Sequence, residues 1–250
     1  MKAMLSLQGV HGGCGVTTMV AALGHALHMQ GERVLVVDAN PDNLLGLHLG
    51  MAVDERRGWA RAQLDGSDWR DAAFEVAPGF ALLPYGALGV DEVAVIEQWL
   101  QQAMHAWAER RQLLATQFDW VLFDLPQRLP AHADAVNLHA GCNLPLRLAM
   151  VDPVCHVLLQ RQAGDRRAVV ANGYDPAIPL QRDLMRLWEG GDCPLVPQPL
   201  HADASVPSAL ACKQPLAACA SDSQTAADIV GLALWCMATR GRQQAMEGES

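Results

Sequence analysis

The chain has 250 residues, 51% hydrophobic and 18% charged, which suits one globular α/β domain with a full core. A formal net charge of −9 disfavours nonspecific binding to DNA or anionic lipid, because both rely on Lys and Arg neutralising phosphate. No apolar run reaches the roughly 18 residues of a membrane span, and the opening Met1-Lys2-Ala3-Met4-Leu5 is not that of a signal peptide.

In chain order, strands and helices alternate. Met4–Leu7 is an apolar strand that runs into a Gly-rich loop, and helical spacing begins at Val20. Arg33–Val37 is a second strand ending in Asp38, and Phe80–Pro84 a third. A long stretch from Asp91 to about Thr116 has helical spacing. Trp120–Asp124 is apolar on both faces, as a strand buried inside a parallel sheet must be. Leu146–Val151, Ala168–Asn172 and Cys193–Val196 are the remaining strands, and helices near 202–212 and 222–239 close the chain. Such alternation predicts a mostly parallel, twisted sheet flanked by helices on both faces. The domain is expected over residues 1–240, with 241–250 a flexible polar tail.

Seven cysteines contain no Cys-x-x-Cys pair, so free thiols in a reducing compartment are expected and a zinc site is not. The basic pairs Arg56-Arg57, Arg110-Arg111 and Arg166-Arg167 read as solvated surface.

Chemistry concentrates at strand ends, where ligands of open α/β sheets bind. His11-Gly12-Gly13-Cys14-Gly15-Val16-Thr17-Thr18 follows a strand and opens a helix. Its glycines let successive backbone N–H groups converge, and the helix adds its positive end, so the loop suits a polyphosphate. The usual phosphate-binding loop has a Lys directly before the Thr, and here that residue is Val16. The loop therefore argues for nucleotide binding, while its missing charge argues against fast hydrolysis. Asp38 and Asp124 each follow an apolar strand, where a buried carboxylate needs compensation. Either one alone reads as a helix N-cap. Together with Thr17 they read as a magnesium site, with Thr17 on the ion and both carboxylates approaching through water.

These segments, with Asp38-Ala39-Asn40-Pro41 and Asp124-Leu125-Pro126, resemble the MinD/ParA branch of P-loop ATPases. The likeness continues through Asn172, Val196–Leu200 and Lys213–Leu216, and so covers about residues 1–238. Within that branch, Gln8-Gly9-Val10, Pro41–Leu45 and the tryptophan-containing block Gly58–Asp71 resemble the BcsQ family of bacterial cellulose secretion systems.

The resemblance implies a single P-loop NTPase domain that binds ATP or ADP with Mg²⁺. His11 to Thr18 would hold phosphate, Asn172 and Pro199 would complete the nucleotide site, and Thr17, Asp38 and Asp124 would serve the metal. It also implies a homodimer and a cytoplasmic location peripheral to the inner membrane. The implied partners are a BcsR-like small subunit, a BcsE-like regulator and the membrane-bound cellulose synthase complex.

Three departures weaken catalysis: His11 stands where the branch has its signature Lys, Val16 replaces a second Lys, and Asn40 replaces the catalytic Asp. One lost charge-assisted hydrogen bond costs about 1.5–3 kcal/mol, roughly ten- to a hundredfold in affinity. Binding survives such a loss better than hydrolysis, which needs cations at developing charge. No residue is assigned a catalytic role, and slow or absent turnover is expected unless an arginine such as Arg147 or Arg161 substitutes.

A nucleotide-gated dimeric scaffold leads the functional readings, ahead of an active ATPase that positions the cellulose machinery. DNA partitioning would need a basic surface. A membrane-cycling ATPase would need a basic amphipathic C-terminal helix in place of Arg240–Ser250. An iron–sulfur reductase would need a Cys within Leu125–Ala140, which has none.

Overall fold

A computed structural model describes residues 2–248, with side chains through residue 246. Seven strands are β1 Ala3–Gly9, β2 Val34–Asp38, β3 Phe74–Ala77, β4 Phe80–Leu83, β5 Trp120–Leu125, β6 Leu144–Met150 and β7 Ala168–Asn172. They form one sheet in the order β3-β4-β2-β5-β1-β6-β7. Every pairing is parallel except β3 with β4. The helices are α1 Val16–Met29, α2 Trp59–Asp65, α3 Val90–Gln102, α4 Ala106–Gln117, α5 Pro130–Asp134, α6 Pro153–Arg161, α7 Pro179–Glu189, α8 Ser205–Ala211, α9 Leu216–Cys219 and α10 Gln224–Gly248.

Period-two alternation explains why both faces of the sheet are covered. Leu5 and Leu7 of β1, Val34 and Val36 of β2, and Trp120 and Leu122 of β5 join one core, with α1 and α10. Their neighbours Met4, Leu35, Val37, Val121 and Phe123 join the other. That second core is aromatic: Trp59 meets Tyr85 edge-on at 5.1 Å between centroids, and Trp107 meets Phe123 at 5.0 Å.

Several expectations need correction. The helix expected over 91–116 is two helices, because Ala103 leaves the helical region (φ −101°, ψ 51°) and the chain turns before α4. The strand expected at Cys193–Val196 makes only an isolated bridge, Val169 to Leu195. Pro194 and Pro197 flank it, and proline cannot donate to a ladder. The tail expected to begin at 241 instead continues α10 to Gly248, while residues 249–250 lie outside the described residues. Side chains hold that extension: Arg240 pairs with Glu32 at 2.6 Å and lies over Trp120, and Gln243 Nε2 donates to the Asn143 carbonyl.

Arg110 is also not solvated surface. It is buried, with its guanidinium 4.7–5.8 Å from the ring centroids of Trp59, Trp69, Trp99 and Trp107. Burial pushes its pKa down to about 10. Arg111 donates to the carbonyls of Ala140 and Gly141.

Candidate nucleotide and magnesium site

β1 ends at Gly9, and the loop that follows turns back into α1 through two glycines in the left-handed region, Gly13 (φ +85°) and Gly15 (φ +88°). A side chain at either position would be strained. Gly15 caps α1 without a side-chain hydrogen bond, so the N–H groups of Val16, Thr17 and Thr18 have no capping side chain. The whole loop from His11 to Thr18, including these residues, lines a cleft of about 1170 Å³. Asn40, Pro41 and Asp42 after β2 form one wall, and Pro126, Gln127 and Arg128 after β5 form another.

The ends of β2 and β5 lie side by side, with Asp38 and Asp124 opposite one another in register. Both are fully buried. Asp38 is spoken for: Oδ1 accepts from the Asn40 N–H and Oδ2 from the Leu45 N–H, each at 3.0 Å. Asp124 has no hydrogen-bond partner on either oxygen. Burial raises its pKa to about 7, with the neighbouring Thr17 hydroxyl pulling the other way. Burial and the Asp124 charge together raise Asp38 well above the usual carboxylate range.

A buried carboxylate beside a hydroxyl offers oxygen donors, the kind that fit a hard divalent cation such as Mg²⁺. The sequence reading treated the two aspartates alike. The structure separates them: Asp124 is available, whereas Asp38 already orders the loop between Asn40 and Leu45.

Asn172 and Pro199 do not line the cleft. Asn172 closes β7, and its Nδ2 donates to the Cys14 carbonyl at 2.8 Å. A Cβ on Gly15 would sit 3.0 Å from that nitrogen. Asn172 thus braces the phosphate loop from behind. Pro199 lies in the segment that returns beside β7, where the next residue, Leu200, donates its N–H to the Ala171 carbonyl.

Neither arginine named as a stand-in reaches the cleft. Arg147 is buried on β6 against Asp165, and Arg161 is exposed on α6. Arg128 is the arginine of the cleft wall, and that wall contains no lysine among the described residues. The sequence hint missed was its position, four residues after Asp124 in the loop that follows β5. Thr18 and His48 add a polar pair, Oγ1 to Nε2 at 3.4 Å. Sequence reasoning also missed that the fold brings Cys155, at the start of α6, beside His11 and Cys14.

Comparison with known proteins agrees with this frame. The protein is 39% identical to the cellulose biosynthesis protein BcsQ of Escherichia coli K12 over 237 residues, covering 94% of each chain. Its fold matches the septum site-determining protein MinD of Pyrococcus horikoshii complexed with Mg-ADP, with a TM-score of 0.71 over 93% of this chain and 95% of that one at 21% identity. It also matches a ParA family ATPase of Chlorobium tepidum, with a TM-score of 0.72 over 94% and 99% at 16% identity. A family model described as cellulose biosynthesis protein BcsQ spans residues 1–237, and the chain therefore belongs to the BcsQ family.

Proposed function

We propose that the protein holds ATP and Mg²⁺ as a dimeric, nucleotide-dependent scaffold of the cellulose synthase secretion complex, with slow or absent hydrolysis. One observation carries this reading. The cleft keeps the glycine-rich loop with its uncapped helix start, Thr17 and the carboxylate of Asp124, yet its wall has a single arginine and no lysine among the described residues. Thr17 and Asp124 would hold the ion, and His11 to Thr18 would cradle phosphate. When bound, Mg²⁺ neutralises part of the charge between the terminal phosphates and fixes their positions. Backbone donors and a metal suffice for binding, whereas turnover needs cations matched to charge that develops only in the transition state. Val16 lines the cleft where a lysine would reach those phosphates.

The partners that follow from this reading are a second copy of the chain, a BcsR-like small subunit, a BcsE-like regulator and the membrane-bound synthase. Attachment to the inner membrane would run through them. Among the described residues no helix is long and apolar enough to cross a membrane.

The deciding experiment pairs equilibrium ATP binding with phosphate release from the same purified protein. Binding in the presence of Mg²⁺ with negligible release, and release gained in Val16→Lys, supports the scaffold. Ordinary turnover in the unmodified protein overturns it in favour of an ATPase that cycles to position the machinery.

A further inference from the structure

Two side chains of the phosphate loop, His11 and Cys14, meet Cys155 from the start of α6. His11, Cys14 and Cys155 each offer one ligand atom, and these atoms all lie within 4.8 Å of one another. Both cysteines are free and buried. The Nδ1 of His11 is hydrogen-bonded to the Gly12 carbonyl, which fixes the tautomer and leaves a lone pair on Nε2. That Nε2 is buried without a hydrogen-bond partner and points at the first turn of α6, 3.9 Å from Asp152 Oδ2. The other oxygen of Asp152 caps α6 by accepting from the Cys155 N–H at 2.7 Å, which holds the carboxylate in place.

We propose that His11, Cys14 and Cys155 bind a zinc ion that ties the phosphate loop to the start of α6, with Asp152 closing the fourth position directly or through water. Two sulfurs and an imidazole suit zinc and repel magnesium, whose ligands are oxygens. A tetrahedral zinc holds such ligand atoms about 3.5–3.8 Å apart, so no pair needs to close by more than roughly 1.3 Å, within reach of side-chain rotation. Zinc binds both sulfurs as thiolates, and any proton a thiol still carries leaves to solvent. Zinc here does not replace the missing lysines; it fastens the loop. Because ligands come from two places far apart in the chain, the absence of a Cys-x-x-Cys pair does not argue against the site.

The test uses the full chain, made metal-free under a non-thiol reductant and without nucleotide, so it stands or falls apart from ATP binding. Cobalt(II) is added and the sulfur-to-cobalt charge-transfer absorption is followed, then zinc is titrated against a chromophoric chelator. One equivalent of cobalt with a thiolate band, displaced by one equivalent of zinc, is expected. The band should vanish in the Cys14→Ala/Cys155→Ala double variant and persist in Cys212→Ser, an exposed cysteine elsewhere. His11→Ala alters a partly exposed side chain and keeps both thiols, so it guards against loss of fold; zinc affinity should fall about tenfold or more. Absence of a thiolate band in the unmodified protein, or its survival in the double variant, overturns the proposal. So does a reduced protein that takes no metal but forms a Cys14–Cys155 disulfide in air.

Discussion

The ends of β2 and β5 invite comparison, because each places one aspartate at the same level of the sheet and each buries it completely. At Asp38 the protein supplies two backbone N–H donors. At Asp124 it supplies none. The same residue type, in the same register and at equal burial, is thus a structural acceptor on one strand and a carboxylate without a backbone donor on the next. What separates them is the following loop. After β2 the chain curls back within seven residues, so that Leu45 meets the carboxylate, whereas after β5 it leaves toward the cleft wall at Pro126.

Substituting both positions is the strongest way to break this contrast. Asp124→Asn should lower affinity for Mg²⁺ and ATP together by roughly ten- to a hundredfold, as expected for a lost charge-assisted contact. It should also raise the melting temperature of the nucleotide-free protein, because an uncompensated buried charge is removed. Calorimetric titration and thermal unfolding of one preparation read both effects. A fall in melting temperature would mean that Asp124 has a partner in the folded protein.

The second prediction varies pH instead of sequence. Asp124 is raised from its ordinary 3.8 to about 7, so the folded state grips this proton more firmly than the unfolded state. Its contribution to stability is complete below the unfolded value and is lost as pH rises through about 7. Magnesium needs the deprotonated carboxylate. Stabilisation by Mg²⁺ and ATP should therefore grow from about pH 6 to about pH 8, while the nucleotide-free protein weakens over the same interval. Melting curves with and without ligand across that range test it, and parallel curves would refute it.

Asp38→Asn should act with opposite sign to Asp124→Asn. An amide offers one oxygen where two N–H groups need acceptors, so unfolding free energy should fall by about 1–3 kcal/mol in denaturant titrations. Nucleotide affinity should change less than in Asp124→Asn. Equal losses of metal binding in the two variants would erase the distinction. The smallest effect belongs to Asn172→Ala, which removes one neutral hydrogen bond to the Cys14 carbonyl and should cost about 1 kcal/mol of stability. Denaturant titration at constant pH is sufficient to detect it.

Much of the framework was legible because strong local patterns and tertiary packing agree. Trp120–Asp124 reads as a buried strand since both its faces are covered, and the phosphate loop is punctuated by its glycines. The edge strand β3 escaped notice because Phe74-Glu75-Val76-Ala77 is only four residues long and carries the charged Glu75, although Pro78-Gly79 marks the turn into β4. The break between α3 and α4 was hidden because nothing in Ala103-Met104-His105 opposes a helix; beyond it, Trp107 of α4 packs on Phe123 of β5. Of the site, residue types at strand ends were readable. Which aspartate would be left bare was not, because it depends on where Leu45 returns. The proximity of Cys155 to Cys14 is likewise a property of the β6–α6 connection, which sequence spacing does not encode.

The hydrogen bond from Asn172 to the back of the phosphate loop has a thermodynamic consequence. A glycine-rich loop ordinarily loses much conformational freedom when a ligand arrives, and that ordering subtracts from affinity. Here Asn172 grips the Cys14 carbonyl, and its amide would sit tight against any Cβ on Gly15. The loop is already preorganised before any phosphate reaches it. On the proposed reading, part of the entropy of ordering would be incurred once, during folding, which would offset some of the attraction lost with the lysines.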